Sequence, residues 1–192
     1  MTPPLRDAGQ AFPIYITVVA GLLFLALAYL AVGQAAVNRG GAQTAADAAA
    51  LAAAQDARDQ LAGMWVAAVR DPTKWQAIFD GAGAGDFCWR ADQLAVQNYA
   101  EVRSCNPDLL AYSVEVRTDK RVGDSVVPGI EGVQSTARAR AVIEPLCKPP
   151  AEGLADHPLP QLSCRDKVWD LEPDDPSALP TPSDLFDVHL AD

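Results

Sequence analysis

An uncharged, apolar stretch near the start of the chain constrains the fold more than any other feature. No Asp, Glu, Lys or Arg occurs between Asp7 and Arg39, and residues 14–32 are almost all apolar. About 20 such residues in a helix span the hydrocarbon core of a bilayer, where only a helix or a closed barrel satisfies the backbone. The sequence therefore predicts one transmembrane helix, with the rest of the chain on one side of the membrane.

A secretory signal peptide is the main alternative interpretation of this segment. Such a peptide has a basic N-terminal region, an apolar core of about 7–15 residues and small residues at its cleavage site. Here the N-terminal region holds only Arg6 and Asp7 as charged residues, and the apolar core is longer. Both features favour an uncleaved anchor, although the Ala-rich sequence after Val32 offers cleavage points.

The four cysteines indicate the compartment of the domain that follows. Cys88, Cys105, Cys147 and Cys164 contain no Cys-x-x-Cys pair, and neither histidine has metal-ligand spacing with them. An even number of cysteines beside an export segment is typical of disulfides in an oxidising compartment, whereas four free thiols would indicate a cytosolic domain. Three pairings are possible, and we favour the sequential one because it closes two short loops. The domain is therefore expected to face outward, a point on which the flanking charges hardly discriminate.

The charge of the chain bears on its partners. The formal net charge is −10, and it belongs to the part after the span because Arg6 and Asp7 cancel. An acidic domain repels nucleic acid and anionic lipid surfaces, and no basic patch with interleaved aromatic residues occurs. We expect no nucleic-acid partner.

Hydrophobic periodicity predicts three helices after the span. Residues 43–70 are rich in alanine, the best helix former, and are expected to form a long helix that either continues through Gly40 and Gly41 or hinges there. Its apolar side is marked by Leu51, Leu61, Met64, Trp65 and Val69. A short helix over 74–79, the flexible glycine connector 81–85 and a helix over 89–101 follow. The apolar portion of that last helix is assigned to Ala91, Leu94, Ala95, Val96, Tyr99 and Ala100.

Strict alternation of side chains predicts an antiparallel sheet next. Residues 112–118 and 136–143 alternate, with Tyr112, Val114 and Val116 of the first strand facing inward. Residues 102–104 are a candidate further strand, and 119–133 a long loop or a loop with one more short strand. The predicted fold class is α+β: a transmembrane helix, an Ala-rich helix and a small antiparallel sheet domain with a Pro-rich tail.

The last quarter of the chain has a different composition. Nine of the 15 prolines follow Glu144, which predicts an extended, partly disordered acidic tail without regular structure. Residues 185–190 could dock onto the domain as a final turn of helix or bind a partner.

No constellation of residues indicates catalysis or a bound cofactor. The acidic residues of the tail lack the pattern of a calcium loop and are best interpreted as solvated; they are Asp166, Asp170, Glu172, Asp174 and Asp175. A nucleophile set of Ser163 or a cysteine with His157 or His189 lacks any strained-turn motif. We therefore predict a protein that is not an enzyme, with no cofactor and no metal.

The chain resembles a known family, most clearly in its N-terminal part. The segment 7–10, the apolar span and the string Gln-x-Ala-Ala-Asp-Ala-Ala-Ala-Leu-Ala from Gln43 to Ala52 are similar to TadE/TadG-like proteins of tight-adherence (Flp-type) pilus loci, the actinobacterial members in particular. The resemblance extends over about residues 7–145. It implies a structural or assembly component of a Tad-type pilus or related secretion apparatus.

Processing is the point where the chain departs from prepilins. Prepilin-type cleavage follows a glycine and usually requires Glu at the fifth mature position. Gly9 and Gln10 supply a candidate junction, but the fifth residue would be Ile14. This difference favours an unprocessed accessory or minor component.

These inferences give a domain plan and a set of partners. The plan is a cytoplasmic tail 1–9, a transmembrane helix 10–38, an extracytoplasmic pilin-like domain 39–146 and the tail 147–192. Expected partners are other pilus subunits through the N-terminal helices, membrane lipid and the cell wall. Asp47 is either a solubilising residue or a subunit contact, since small neighbours allow close helix packing. The residues assigned to helix packing and assembly are Gln43, Ala46, Asp47, Ala49, Ala50 and Leu51.

Two further expectations can be tested. Phe at Ala49 and Ala50 should disrupt assembly without unfolding the outer domain. The alternative function is a membrane-tethered binding or adhesion domain unrelated to pili, and deleting residues 148–192 would distinguish the two.

Overall fold

The fold is organised by one long helix. The computed structural model describes residues 11–119, 134–149, 159, 161–165 and 167–191. Helix α1, Ala11–Ala67, is unbroken over 57 residues, which corresponds to about 85 Å at the usual rise per residue. It passes through Gly40 and Gly41, so the continuous helix is observed rather than the hinge.

The first part of α1 stands apart from the domain. Phe12–Leu30 is long and apolar enough to cross a membrane, none of it is buried within the chain, and it is the one such helix among the described residues. Side chains on every side of this segment are exposed, Tyr29 by 82%. A helix that is apolar all round needs an apolar environment, so by its length and composition the predicted span is a candidate membrane anchor.

The remaining elements form a compact sequence of short helices and strands. The helices after α1 are a 3₁₀ turn at Pro72–Lys74, α2 at Trp75–Phe79, α3 at Cys88–Gln97, a 3₁₀ turn at Pro176–Ala178 and α4 at Pro182–Leu185. The strands are β1 Ala100–Asp108, β2 Ala111–Thr118, β3 Thr136–Pro145, β4 Cys147–Lys148, β5 Leu162–Cys164, β6 Lys167–Trp169 and β7 Phe186–Leu190.

Two antiparallel sheets result. The main sheet has the strand order β1-β2-β3-β7, and a small sheet has the order β4-β5-β6. Tyr112, Val114 and Val116 are buried as predicted, because alternate side chains of β2 face the helix. The predicted strand at 102–104 is part of a longer strand, β1. The α+β class is confirmed, while 120–133, most of the predicted long loop, lies outside the described residues.

Alanines on both sides bring α1 close to the sheet. The second half of α1 contacts β2, β3, β7 and α3. Its alanines from Ala42 to Ala57 are mostly inaccessible to solvent, and β3 presents Ala137, Ala139 and Ala141 in the same apolar cluster. Methyl side chains on both surfaces allow the backbones to approach closely. Larger residues fill another part of the core, where the ring centroids of Trp65 and Trp75 lie 5.4 Å apart.

The Pro-rich segment is more regular than its composition indicates. Strand β7 pairs with β3 from Pro145↔Phe186 to Ala141↔Leu190, and β4, β5 and β6 form the second sheet. The expectation of no regular structure is therefore wrong for the described part of this segment. Residues 185–190 dock onto the domain, but as a strand rather than as a turn of helix, because β3 offers a free edge.

Helix α3 buries a narrower face than predicted. The helix ends at Gln97 rather than at 101, and Ala100 begins β1. Ala91 and Ala95 of α3 and Ala100 of β1 are buried, but Val96 is 68% exposed and Tyr99, in the turn before β1, 63% exposed. The assignment of these two residues to the apolar portion is wrong, because only the alanine side of α3 packs against the domain.

The glycine connector 81–85 is closely packed rather than flexible. Gly81 and Gly83 both adopt positive φ, +85° and +88°. A Cβ on Gly81 would lie 2.7 Å from the carbonyl oxygen of Leu109, and the amide of Gly85 donates to Gln60 Oε1 at 2.7 Å. The connector therefore needs glycine for both its conformation and its space.

Replacing Gly81 with Ala should destabilise the domain by about 2–3 kcal/mol, because strain at positive φ adds to a clash with a backbone atom that cannot rotate away. Gly63→Ala is the matched control. Gly63 lies in α1, where an added Cβ would meet no atom within 4 Å outside the helix backbone, so the change should be neutral or stabilising. Chemical denaturation of the two variants in detergent measures the difference. Equal midpoints would contradict the close packing.

Candidate assembly surface

Gln43 and Asp47 connect the start of the domain helix to the sheet. The Gln43 amide donates to Asp47 Oδ1 at 2.7 Å and to the carbonyl oxygen of Arg138 in β3 at 3.4 Å. One turn separates the two residues on α1, so their side chains meet on one face of the helix. Both predicted residues thus take part in one bridge from α1 to β3.

The predicted packing alanines point into this chain's own core. Ala46, Ala49 and Ala50 are each 0% exposed. The expectation that Phe at Ala49 and Ala50 would leave the domain folded is contradicted by this burial. The small residues permit close packing, as inferred, but between α1 and its own sheet.

Other residues on α1 remain accessible. Leu51 and Asp47 are half-buried. Three further residues are exposed: Gln43, Thr44 and Gln55. Val32 and Val37, between the span and the domain, are 70% and 74% exposed. Both valines fall within the transmembrane helix 10–38 expected from the sequence, whereas the apolar window of α1 ends at Leu30, so their exposed side chains are candidates for a contact surface.

Two disulfides brace the domain in the sequential pairing. Cys88–Cys105 joins the start of α3 to β1, and Cys147–Cys164 joins the facing residues of β4 and β5. Each crosslink closes a loop of 17 residues in sequence, which restricts the unfolded chain and contributes about 3 kcal/mol in the loop-entropy model.

The other face of the main sheet is polar. Arg117 pairs with Glu101 at 2.8 Å and Arg138 with Glu115 at 2.7 Å across neighbouring strands. Exposed pairs of this kind contribute at most about 1 kcal/mol each. This face is therefore a solvated surface rather than an apolar docking surface.

Tyr112 carries a hydroxyl group inside the domain. The side chain is fully buried and its hydroxyl donates to the carbonyl oxygen of Gly85 at 2.6 Å. Burial raises the pKa of Tyr112 above its usual value of 10.0, because the phenolate would lose its hydration. The hydrogen bond holds the glycine connector against β2.

The raised pKa predicts a loss of stability in alkali. Above pH 10 the unfolded chain releases the Tyr112 proton while the folded chain retains it, so the free energy of unfolding falls as the pH rises toward the folded-state pKa. Denaturation midpoints between pH 9 and about 11 should fall more steeply for the wild type than for Tyr112→Phe. Parallel pH curves for the two proteins would contradict this assignment.

The acidic residues of the Pro-rich segment serve local structure. Asp175 accepts from the amide and hydroxyl of Ser177, and these hydrogen bonds lower its pKa. Asp174 pairs with Arg70, just after α1, and Asp170 accepts from Gln161 at 2.5 Å. Asp166 lies outside the described residues. Asp170, Asp174 and Asp175 therefore each contact a different neighbour.

The nucleophile set that was considered from the sequence and set aside is not assembled in the described part of the chain. Ser163 lies in β5 and His189 in β7, and no hydrogen bond joins them. His157, Gly9 and Gln10 lie outside the described residues.

The fold and this surface define a class of protein: an α+β domain carried on a long helix whose exposed first third is long and apolar enough to cross a membrane. Residues 9–56 match the model of the Flp pilus-assembly TadE/G-like family. The match bears out the resemblance over this stretch, which includes the span, Gln43 and Asp47; residues 57–145, to which the resemblance was extended, lie outside it. No curated protein and no solved structure matches the chain.

Proposed function

We propose that this chain is a structural or assembly component, of the minor-pilin or accessory type, in a Tad/Flp-type pilus or a related secretion apparatus. The family match over residues 9–56 carries the proposal. That stretch includes the apolar span and the start of the domain helix, which α1 joins without a break. Because the helix is continuous, the position of the span among its neighbours also fixes the position of the domain, as a structural subunit requires.

In the proposed arrangement, Phe12–Leu30 crosses the cytoplasmic membrane once and the domain lies outside. Two disulfides support this orientation, since they persist in oxidising compartments. Residues 31–41 add about 16 Å of helix between the span and the domain. This spacing lifts the acidic domain away from anionic headgroups, which would repel it.

The proposed contacts with other subunits lie along the exposed part of α1. Val37 offers apolar surface, and a Cβ added at Gly33 or Gly40 would meet no atom within 4 Å outside the helix backbone. Small residues let neighbouring helices approach closely. Gln43 remains exposed beside them and belongs to the same proposed surface.

Loss of the gene tests the function directly. Cells that produce this protein should lose most of their surface fibres in electron micrographs when the gene is deleted, and a wild-type copy should restore them. Normal fibre numbers and normal secretion in the deletion strain would contradict the proposal.

A pair of variants tests the subunit contact. Val37→Glu places a charge on the proposed surface, and Gln55→Glu places the same residue at an exposed site on the domain half of α1. Val37→Glu should abolish crosslinking to other subunits, and Gln55→Glu should not. Circular dichroism should show that the domain is folded in both variants. Equal crosslinking would contradict a contact at Val37.

The N-terminus is proposed to remain unprocessed. An intact mass from the membrane fraction should correspond to a chain that begins at or next to Met1. A start at Gln10 would indicate prepilin-type cleavage and a true pilin, and a start beyond Val32 would indicate a released domain.

Deletion of residues 148–192 cannot separate this function from adhesion. It removes β7 from the main sheet and Cys164 from its disulfide, so the domain itself would be damaged. Substitutions confined to the exposed surface of β6, such as Val168→Glu, are the cleaner test: lost ligand binding with intact fibres would favour an adhesion domain.

A further inference from the structure

Three metal-ligating side chains converge on the solvent face at the edge of the main sheet. Glu144, Asp187 and His189 each offer one ligand atom, and these atoms all lie within 4.8 Å of one another. They are the one such group with three or more members among the described residues. None of them takes part in the proposed assembly surface.

The strand register brings the three residues together. Glu144 of β3 lies opposite Asp187 of β7, and His189 follows two residues later, opposite Val142. Side chains two residues apart on a strand project to the same face. Paired backbone, rather than a mobile loop, therefore carries all three groups.

The two carboxylates face each other without a complete counter-charge. Like charges directly opposite in an antiparallel pair destabilise a sheet. His189 Nδ1 lies 3.3 Å from Asp187 Oδ2, and Arg165 Nη2 lies 3.8 Å from Glu144 Oε2 with its side chain 58% exposed. A divalent cation between the carboxylates would relieve the repulsion that these neighbours only partly offset.

The donor set selects the kind of cation. One imidazole nitrogen with two carboxylate oxygens suits Zn²⁺, which takes three protein ligands and leaves a position for water. Ca²⁺ requires six to eight oxygen ligands and Mg²⁺ a near-ideal octahedron of oxygens. Ligand atoms around Zn²⁺ lie about 3.4 Å apart, and side chains that are 47–54% exposed are free to close the remaining distance by rotation.

We propose that Glu144, Asp187 and His189 form a Zn²⁺ site that links the last strand of the chain to the main sheet. A bound ion joins β7 to β3 through side chains as well as through the backbone. Because binding to the folded state alone stabilises it by mass action, the ion also raises the resistance of β7 to detachment.

Calorimetric titration of zinc chloride into the full-length chain in detergent, after treatment with chelator, tests the site. One Zn²⁺ per chain should bind, and the affinity should fall at least about tenfold in His189→Ala. His157→Ala, which changes the chain's other histidine, should bind as the wild type does. Unfolding temperatures of the metal-free proteins verify that both variants are folded.

Three results would overturn the proposal: no saturable Zn²⁺ binding, equal losses in the two histidine variants, or equal affinity for Mg²⁺. A charge variant adds an independent check. Arg165→Gln removes the cation that competes for Glu144, so Zn²⁺ should bind more tightly to it than to the wild type. Unchanged or weaker binding there would contradict the competition between Arg165 and the ion for Glu144.

Discussion

Ala49→Phe should unfold or severely destabilise the domain, with a loss of at least about 3 kcal/mol, at the upper end of overpacking effects. Ala49 is 0% exposed where α1 meets its own sheet, and β3 presents alanines in the same cluster. A phenyl ring has no space there unless the helix separates from the sheet. A domain of this size has about 5–15 kcal/mol of stability in total, so the loss is a large fraction of it.

Gln55→Phe is the matched control for this experiment. It inserts the same ring into the same helix at an exposed position, where substitutions usually change stability by at most about 0.5 kcal/mol. Urea denaturation of both variants in detergent measures the difference. If Ala49→Phe were as stable as Gln55→Phe and lost only its assembly, the helix face would serve another subunit instead.

Phe186→Ala should destabilise the domain by about 3–5 kcal/mol, the usual cost of removing a buried aromatic ring. Phe186 is the first residue of β7, is 0% exposed and lies 5.3 Å from Phe79 between ring centroids. Its position in a Pro-rich, acidic segment would otherwise predict a negligible effect. The variant therefore measures whether this segment is part of the core.

Val168→Ala serves as the control for Phe186→Ala. Val168 belongs to the same C-terminal segment but is 56% exposed in β6, so its truncation should change the midpoint little. Matching midpoints for the two variants would contradict a place for the Phe186 ring in the core.

Local patterns in the sequence were sufficient to predict the helices and strands that depend on interactions between residues close together in the chain. The span follows from apolar length alone, the second half of α1 from alanine content, and β2 and β3 from alternation. Cysteine number and spacing favoured the sequential disulfides, and the Gln43–Ala52 string indicated the resemblance that the family match over residues 9–56 bears out. Each of these signals is contained within a short window of the chain.

Tertiary structure alone decided which surfaces meet. Alanine is equally suited to a subunit interface and to an internal one, so the sequence could not assign Ala49 to its own sheet. Strand β7 forms because β3, more than 40 residues earlier, offers an open edge. The composition of the Pro-rich segment gives no indication of such long-range pairing. Gly81 looks flexible in sequence but lies against Leu109. The physical reason is common to all three: a side chain's role depends on its neighbours in space, and those neighbours are distant in the chain.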